Sequence, residues 1–410
     1  MQKTLPGAAR AGGASPDAVP ARPGTTLPIL FGLSLAHLLN DMMQSLVPAI
    51  YPIIKATHGL DFGQIGLITF TFQLTASLFQ PAVGFYTDRR PMPYSMVIGM
   101  GFTLLGLIVL AWAPSYPMLI LGAAMVGTGS SIFHPEATRV ARVASGGRQG
   151  LAQSIFQVGG QSGSALGPVL AAFIVVPRGQ ESVALFALAA LAAMAVLSGV
   201  GRWYAAQVPA LFAARLRGAE DSPVPTSAGV LFAVFLLVVL MFSKSAYQAA
   251  ITSYYTFFLI DKFDTSIATA QLMLFVYLAA GALGVLVGGP LGDRIGRRRI
   301  IWFSILGALP YSLLMPHVNF FWTVVLSTCV AFIMASAFAA ILIFAMELLP
   351  GRVGLIGGLF YGLTFGLGAI SAAALGQIAD ATSIQYVFLL TSFLPAIGLL
   401  TWLLPDIRSR

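Results

Sequence analysis

The sequence predicts an all-α polytopic membrane protein whose twelve transmembrane helices form two six-helix bundles. This fold class follows from the composition, from the recurrence of long apolar runs, and from a charged phrase that occurs once in each half. Of the 410 residues, 58% are hydrophobic and only 9% are charged, and the mean hydropathy is +0.87. No water-soluble domain tolerates a surface of that composition. The chain is therefore predicted to lie in a membrane.

Apolar runs long enough to cross a bilayer recur along the chain. A helix needs roughly 20 apolar residues to cross about 30 Å of hydrocarbon. Polar breaks delimit twelve predicted spans, at residues 27–54, 62–86, 95–112, 118–136, 151–176, 182–204, 229–259, 268–291, 300–315, 320–348, 354–378 and 384–404. Residues 1–26 contain no apolar segment, so we expect a disordered tail and a first helix that is retained.

The distribution of the 22 Lys and Arg residues predicts the orientation. When the loops are assigned alternately to the two sides of the membrane, the side of the N-terminus collects nearly all of these residues. The exceptions are Lys55, Arg178 and Lys262 on the other side, and Lys244 inside a span. Because cytoplasmic loops are rich in Lys and Arg, both termini are predicted to be cytoplasmic. The net charge of +8 thus reflects topology, and no nucleic-acid partner is expected.

A long polar segment divides the predicted helices into two sets of six. Arg148 and Arg352 open Gly-rich helices at corresponding places in the two sets, which indicates an internal repeat. The predicted organisation is a cytoplasmic N-terminal tail, an N-terminal bundle, a cytoplasmic linker, a C-terminal bundle and a cytoplasmic C-terminal tail, at residues 1–26, 27–204, 205–227, 228–405 and 406–410.

The charged phrase reads GPLGDRIGRRR after the eighth predicted helix and GFYTDRRP after the second. It resembles the loop signature of the major facilitator superfamily, Gly-x-x-x-Asp-Arg/Lys-x-Gly-Arg-Arg/Lys, and it occurs in the two loops where that superfamily carries it. The copy GFYTDRRP lacks the later Gly and Arg of this signature. The matching positions are Gly84, Asp88, Arg89, Gly289, Asp293, Arg294, Gly296 and Arg297. The resemblance implies the superfamily's fold of two six-helix repeats.

The aspartates of the phrase are predicted to act as a conformational latch. Asp88 ends the second helix where the positive N-terminal end of the eleventh helix, near Arg352, also arrives. Asp293 can meet the start of the fifth helix by the same logic. Such contacts between the halves would close the cytoplasmic side. The alternative is that the phrase only anchors the topology.

A narrower resemblance covers almost the whole chain. It is carried by LSLAHLLNDMMQSLVPAIYP, GTGSSIFHPEATRVARVASGGRQGLAQSIFQVGGQSG and ELLPGR, which resemble the bacterial fosmidomycin-resistance branch of the superfamily. The resemblance implies a proton-driven antiporter that exports small phosphonate drugs across the inner membrane. A partial glycine ladder at Gly163, Gly167 and Pro168 resembles the antiporter signature and also favours export. The alternatives are a proton-coupled importer of a small organic or phosphorylated solute and a receptor that transports nothing.

Polar residues inside the first predicted helix are candidates for function, because an unpaired charge at that depth costs several kcal/mol. His37, Asn40, Asp41 and Gln44 follow the spacing i, i+3, i+4, i+7, which puts them on one helical face. Asp41 is predicted to take up and release a proton as the cavity opens to each side. The alternative for Asp41 is a permanent hydrogen-bonded packing role. His37 either relays the proton or satisfies a neighbour.

The fourth predicted helix ends in a charged segment near the cytoplasmic boundary. Glu136 and Arg139 have the i, i+3 spacing of an ion pair, and with Arg142 they are predicted to be gating or boundary charges. Glu347 is the corresponding acid of the second half. His134 has either a gating or a binding role. Glu136 and His134 are the next candidates for proton coupling after Asp41.

The remaining candidates are substrate ligands. Lys244 lies in the seventh helix at a depth similar to that of Asp41, so it either binds an anionic group such as a phosphonate or pairs with Asp41 or Glu136. The glutamines of the fifth helix share a face and either line the cavity or bond to neighbouring helices. The predicted substrate-binding residues are Asn40, Gln44, Gln157, Gln161, Lys244, Gln248, Tyr254 and Tyr255.

The sequence gives no sign of an enzyme, a metal site or a cofactor. With Cys329 as the single cysteine no intramolecular disulfide is expected, and the four histidines are scattered without metal-ligand spacing. There is no phosphate-cradling loop, so ATP is not the expected energy source. The expected partners are a small-molecule drug, protons and the lipid bilayer, and we expect a monomer.

Overall fold

The computed structural model describes residues 25–146, 148–217, 228–295, 297–337, 341, 344, 345 and 353–404. Within those residues the chain is helical and contains no β-strand, in agreement with the predicted fold class. Each of the twelve predicted spans overlaps one described helix or a short series of helical segments. We number these helices α1 to α12 in chain order.

The helices of the two halves have the following bounds. The first half contains α1 (Leu27–Ala49, continued by Tyr51–His58), α2 (Phe62–Arg89), α3 (Ser95–Ala111), α4 (Tyr116–Ala144), α5 (Gln149–Leu170, continued by a π-helical turn at Ala171–Val175 and by Val176–Arg178) and α6 (a 3₁₀ stretch at Gln180–Phe186, then Ala187–Arg217). The second half contains α7 (Ala228–Phe263), α8 (Ile267–Ile295), α9 (Arg297–Leu306, Leu309–Leu314 and a 3₁₀ turn at Met315–His317), α10 (Phe320–Ala335), α11 (Val353–Ala381) and α12 (Ile384–Thr391, then a 3₁₀ stretch at Leu394–Leu403).

The lengths and compositions of these helices match a membrane environment. In the described part of the chain, nine helical stretches are long and apolar enough to cross a bilayer, and α3 and α10 are shorter apolar helices. α1 is not among the nine because the polar stripe that begins at His37 lowers its hydropathy. The predicted polytopic membrane protein is therefore confirmed, and the polar stripe marks α1 as unusual within it.

Two helix ends differ from the sequence prediction. α6 continues to Arg217, past the predicted end at residue 204, because the segment AAQVPALFAARLR is rich in Ala and Leu, which are strong helix formers. Residues 205–217 of the predicted linker are thus helical, residues 218–227 lie outside the described part, and the division of the chain at this linker stays a prediction. α10 ends at Ala335 and is followed by a turn, whereas the sequence predicts a continuous span to residue 348.

α5 packs closely against α1 along the glycine ladder. A Cβ atom built on Gly159 would overlap the carbonyl oxygen of Ser34, and one built on Gly163 would overlap that of Leu38. The hydroxyl of Ser34 also donates to the carbonyl oxygen of Ile155 at 2.7 Å. Small residues thus let the two backbones touch, as the spacing predicts. This contact fixes the polar stripe of α1 against α5.

We expect Gly163→Ala to destabilise the protein by about 1–3 kcal/mol, because the added methyl group must push α1 and α5 apart. The matched control is Gly199→Ala in α6, where a Cβ atom would meet nothing within 4 Å. Thermal unfolding of the purified protein in detergent measures both variants. Equal melting temperatures for the two would contradict the close α1–α5 contact.

Candidate functional site

Three ionisable side chains from two helices meet inside the N-terminal half. Within α1, His37 Nε2 lies 3.2 Å from Asp41 Oδ2, and from α4, His134 Nε2 lies 3.6 Å from Asp41 Oδ1. The side chain of His37 is 4% exposed, whereas those of Asp41 and His134 are 18% and 20% exposed. We call these three residues the His–Asp–His cluster. It is largely buried, but its carboxylate remains accessible to small molecules such as water.

The other members of the polar stripe contact the same carboxylate. Asn40 Nδ2 and Gln44 Nε2 donate to Asp41 Oδ1 at 3.0 and 3.2 Å. Asn40 is fully buried, and its Oδ1 has no hydrogen-bond partner within the described residues. Buried polar atoms are normally paired, so this amide oxygen is a candidate acceptor for a water or a ligand. A substrate-binding role for Asn40 and Gln44 stays a prediction.

The Nδ1 atoms of both histidines are hydrogen-bonded to backbone carbonyl groups. His37 Nδ1 lies 2.8 Å from the carbonyl oxygen of Phe156 in α5, and His134 Nδ1 lies 3.0 Å from that of Ser130 in α4. A carbonyl oxygen only accepts hydrogen bonds, so each Nδ1 carries a proton and donates it. In a neutral imidazole the other nitrogen is then an acceptor. When it is neutral, each histidine therefore presents Nε2 to Asp41 as an acceptor.

The geometry of the cluster allows it to bind one additional proton. With Asp41 ionised and both histidines neutral, the nitrogen of His37 and the oxygen of Asp41 would face each other with lone pairs only. A hydrogen bond between them needs one more proton, either on the imidazole or on the carboxyl group. A 3.2 Å separation allows that bond. The cluster can thus hold one exchangeable proton between His37 and Asp41.

Aromatic rings and one glycine shape the cluster. The ring of Phe156 stacks on that of His37 with centroids 4.0 Å apart, and Phe133 lies 5.8 Å from it. A Cβ atom on Gly160 of α5 would overlap the imidazole of His37 and approach the carboxylate of Asp41. Gly160 is not among the site residues predicted from the sequence. The sequence feature that could have marked it is its place as the second glycine of a Gly-Gly pair, on the helical face next to the glycine ladder.

The histidines are less scattered than the sequence indicates. The rings of His37 and His134 lie 5.2 Å apart, although the sequence separates them by almost a hundred residues. In the described part of the chain, their nitrogens and one oxygen of Asp41 form a group of three atoms within 4.8 Å that a metal ion could use. The sequence prediction of no metal stays a prediction.

The charged segment of α4 makes a separate pair. Arg139 Nη1 donates to Glu136 Oε1 at 2.6 Å, so the predicted i, i+3 pair forms. Arg139 Nη2 also donates to the carbonyl oxygen of Gly84 in α2 at 3.2 Å. Glu136 is buried, and Arg142 is exposed. This pair connects α4 to the start of the charged phrase, and a role for Glu136 in proton coupling stays a prediction.

Lys244 in α7 bonds to the end of a neighbouring helix. Its Nζ donates to the carbonyl oxygen of Met334 in the last turn of α10. Carbonyl groups of a last turn lack helical partners and attract cations. The salt bridge proposed with Asp41 or Glu136 is not formed between these described residues, since Asp41 pairs with histidines and Glu136 with Arg139.

The other predicted substrate ligands lie in different settings. Gln248 is exposed and accepts from the hydroxyl of Tyr277 at 3.1 Å. Tyr254 donates to the carbonyl oxygen of Ala372 at 2.7 Å, and Tyr255 bonds to the Ser327 hydroxyl at 2.9 Å. Both tyrosines are fully buried, so neither faces a cavity in this conformation. Substrate binding by these residues stays a prediction.

Gln157 and Gln161 in α5 are half-buried. The side chains of Gln157 and Gln161 make no hydrogen bond with another residue in the described ranges. The alternative in which they bond to neighbouring helices therefore has no contact to support it there. Two amide groups remain available to a ligand, and their role stays a prediction.

A family model described as Major Facilitator Superfamily matches residues 33–266 and 230–410. The chain belongs to this superfamily. Members carry the fold of two helical halves, and the matched residues cover both halves of this chain. The protein is thus a multi-pass membrane protein of a transporter family.

Two relatives indicate to which branch of the superfamily the chain belongs. The chain is 54% identical over 398 residues to the Fosmidomycin resistance protein of Escherichia coli (strain K12), covering 97% of each chain. It is 40% identical over 389 residues to the uncharacterized MFS-type transporter YfnC of Bacillus subtilis (strain 168), covering 94% of this chain and 95% of that one. The resemblance to the fosmidomycin-resistance branch is confirmed.

Solved structures of the superfamily share the fold. A bacterial homolog to the human lysosomal transporter Spinster, in an inward-facing and occupied conformation, has a TM-score of 0.72 at 14% identity, covering 91% of this chain and 96% of that one. Its inward-facing and unoccupied conformation has a TM-score of 0.68 at 13% identity, covering 94% and 95%. At these identities the likeness concerns the fold alone.

The superfamily's loop phrase is only partly described. The carbonyl oxygen of Gly84 accepts a hydrogen bond from Arg139. The structure places five of its residues in helices without describing their side chains, namely Asp88, Arg89, Asp293, Arg294 and Arg297, and it places Gly289 in α8. Gly296, Glu347 and Arg352 lie outside the described residues. The latch therefore stays a prediction.

Proposed function

We propose that the protein is a proton-driven antiporter that exports small phosphonate drugs from the bacterial cytoplasm by alternating access. It would work in the inner membrane as a monomer with both termini in the cytoplasm. The high identity to a Fosmidomycin resistance protein supports drug export. The observation that carries proton coupling is the His–Asp–His cluster, in which a carboxylate and two basic nitrogens converge.

The cluster is proposed to alternate between a state with one proton and a state without it. The two states differ by one unit of charge in a largely buried site. Burial penalises a net charge, so the preferred direction of opening depends on whether the proton is bound. Uptake of a proton from outside would then accompany the return of the empty carrier, and its release to the cytoplasm would precede the next loading.

The drug is proposed to bind in the central cavity near Lys244. Its ammonium group has three donors, and one of them is used by Met334. The others suit the oxygens of a phosphonate. The half-buried amides of Gln157 and Gln161, which have no hydrogen-bond partner among the described residues, would supply the neutral contacts. Together these groups match a small anionic molecule with several polar atoms.

The charges also favour a second candidate function, an importer that carries a proton and an anionic solute in the same direction. A protonated cluster is less negative than an unprotonated one, so an anion binds more readily together with the proton. Lys244 adds to the attraction in either case. The two functions share a site and differ in the direction of coupling.

Transport in proteoliposomes separates the two candidates. Antiport predicts that an acidic interior speeds the uptake of external labelled phosphonate, whereas cotransport predicts that an acidic exterior does so. Counterflow without any gradient should occur in both cases and serves as the control for functional protein. Uptake that ignores the pH gradient in both directions would contradict proton coupling altogether.

The predicted latch has its own test in this assay. Asp88→Asn and Asp293→Asn should slow turnover about tenfold with little change in substrate affinity. Each substitution removes a negative charge that is predicted to face the positive N-terminal end of a helix in the other half. The control is Asp264→Asn, which alters an exposed acid in the loop between α7 and α8. Unchanged rates in both latch variants would leave the phrase as a topology anchor.

A further inference from the structure

Hydrogen bonds join the two halves of the protein on the side opposite the start of α1, which the distribution of Lys and Arg predicts to be the outer side. Gln271 at the start of α8 donates to the carbonyl oxygen of Ala49 at the end of α1. The hydroxyls of Thr69 in α2 and Ser253 in α7 lie 3.3 Å apart. These contacts connect helices of different halves. The outer side is therefore closed in this conformation.

Asp380, at the outer end of α11, makes the most specific of these contacts. Its Oδ1 accepts the backbone N–H of Phe62 at 2.8 Å, and its Oδ2 accepts that of Gly63 at 2.5 Å. Both groups belong to the first turn of α2, where backbone N–H groups lack helical partners and the helix end is positive. The carboxylate thus caps a helix that belongs to the other half.

α2 already has a cap of its own. Asp61 Oδ1 accepts the backbone N–H of Gln64 at 2.6 Å, and the Gln64 side chain accepts the N–H of Asp61 at 3.0 Å, which forms a complete capping box. Asp380 therefore takes the two first-turn donors that the local cap leaves over. It is not needed to form the helix, so its contribution concerns the position of α2 relative to α11.

Glycines bring the two helices close enough for this contact. A Cβ atom on Gly376 of α11 would overlap the carbonyl oxygen of Phe62, and one on Gly66 of α2 would overlap that of Ala372. The buried hydroxyl of Tyr254 lies beside both glycines and donates to Ala372. The outer ends of α2 and α11 are thus in backbone contact and must separate before the cavity can open outward.

We propose that Asp380 is the outer gating residue, which holds the transporter closed to the outside by capping α2 from the opposite half. The inference rests on alternating access as part of the proposed function. When the outer side opens, both hydrogen bonds must break and the N-terminal donors of α2 pass to water. Loss of the carboxylate therefore favours the outward-open state.

Distance measurements between spin labels test the gate. Labels at Ala56→Cys and Thr382→Cys, both exposed near the outer ends of α1 and α11, are placed in a Cys329→Ser background in lipid nanodiscs. Asp380→Asn and Asp380→Ala should raise the ratio of outward-open to closed protein about tenfold, as expected for the loss of charge-assisted caps. An unchanged distance distribution in both variants would overturn the proposal.

The matched control is Asp261→Asn. Asp261 is an exposed acid at the same end of the molecule, and its Oδ2 accepts from Gln385 at 3.2 Å within one half. Its substitution should leave the distances unchanged. An equal shift in this variant would show that any outer acid has the effect, and would also overturn the proposal.

A steric variant tests the same gate without removing a charge. Gly376→Ala should push α2 from α11 and raise the outward-open population, whereas Gly362→Ala in the same helix, where a Cβ atom has nothing within 4 Å, should not. If both variants give the distance distribution of the parent protein, the outer ends do not need to separate at this contact and the proposed gate is contradicted. The readout needs neither a drug nor a pH gradient, so its failure is distinct from a failure of proton-driven export.

Discussion

Asp41→Asn is expected to abolish export driven by a pH gradient and to leave the exchange of labelled for unlabelled drug intact. The amide has the shape of the carboxyl group but cannot bind or release a proton. Its Nδ2 can donate to His37 Nε2, which replaces the proton with a permanent hydrogen bond. The cluster is then fixed in a form like the protonated one. The drug-loaded protein can still alternate between its inward-open and outward-open states. A pH gradient cannot drive this cycle, because the substituted side chain binds no proton.

Proteoliposomes loaded with labelled phosphonate measure both activities of Asp41→Asn. Gradient-driven export should fall to the level of empty liposomes, and cells should lose drug resistance, whereas exchange should stay near the parent rate. His37→Gln provides a graded comparison, since it keeps hydrogen bonding and removes one basic nitrogen, and its export should be reduced but measurable. Normal gradient-driven export by Asp41→Asn would place coupling elsewhere, with Glu136 and His134 as the next candidates.

Lys244→Met is expected to weaken the binding of anionic phosphonates roughly 10- to 100-fold, which is the range for the loss of a hydrogen bond to a charged group. Binding of neutral and cationic compounds should change little. The methionine side chain is one heavy atom shorter than that of lysine but keeps its apolar stem, so packing between α7 and α10 is largely preserved. Affinities of a matched set of anionic and neutral compounds for the purified protein give the comparison.

Lys262→Met is the control for Lys244→Met. Lys262 is in the same helix and also donates to backbone carbonyls, those of Pro316 at 2.6 Å and Val318 at 3.0 Å, but it lies at the C-terminal end of α7. Its loss should not distinguish anions from neutral compounds. If Lys244→Met weakens all compounds equally, its bond to Met334 at the end of α10 is structural and the anion site lies elsewhere.

The sequence predicts the helices well because hydropathy and polar breaks are local properties. It also predicts the face shared by His37, Asn40, Asp41 and Gln44, since helical spacing determines which residues lie side by side. It does not predict which helix that face meets. His134 joins Asp41 only because α1 and α4 pack together in the N-terminal half, and nothing in the spacing of single residues encodes that contact.

The same limit applies to the outer gate and to helix ends. Asp380 reads in the sequence as an ordinary acid at the end of a helix, and its partners are backbone groups that no side-chain pattern reveals. α6 continues to Arg217 because its residues favour a helix even beyond the apolar run. Hydropathy marks where a helix can be buried, but helix propensity and capping determine where it ends.

All groups that hold the candidate proton come from a single half of the protein. His37 and Asp41 lie on α1, His134 on α4, and the carbonyl of Phe156 on α5. If the halves rock against each other as rigid bodies, the distances within the cluster stay the same while its surroundings turn from one aqueous compartment to the other. The timing of the proposed proton release would then be governed by hydration: a chain of water molecules would reach Asp41 from one side, be lost as that side closes, and form again from the other.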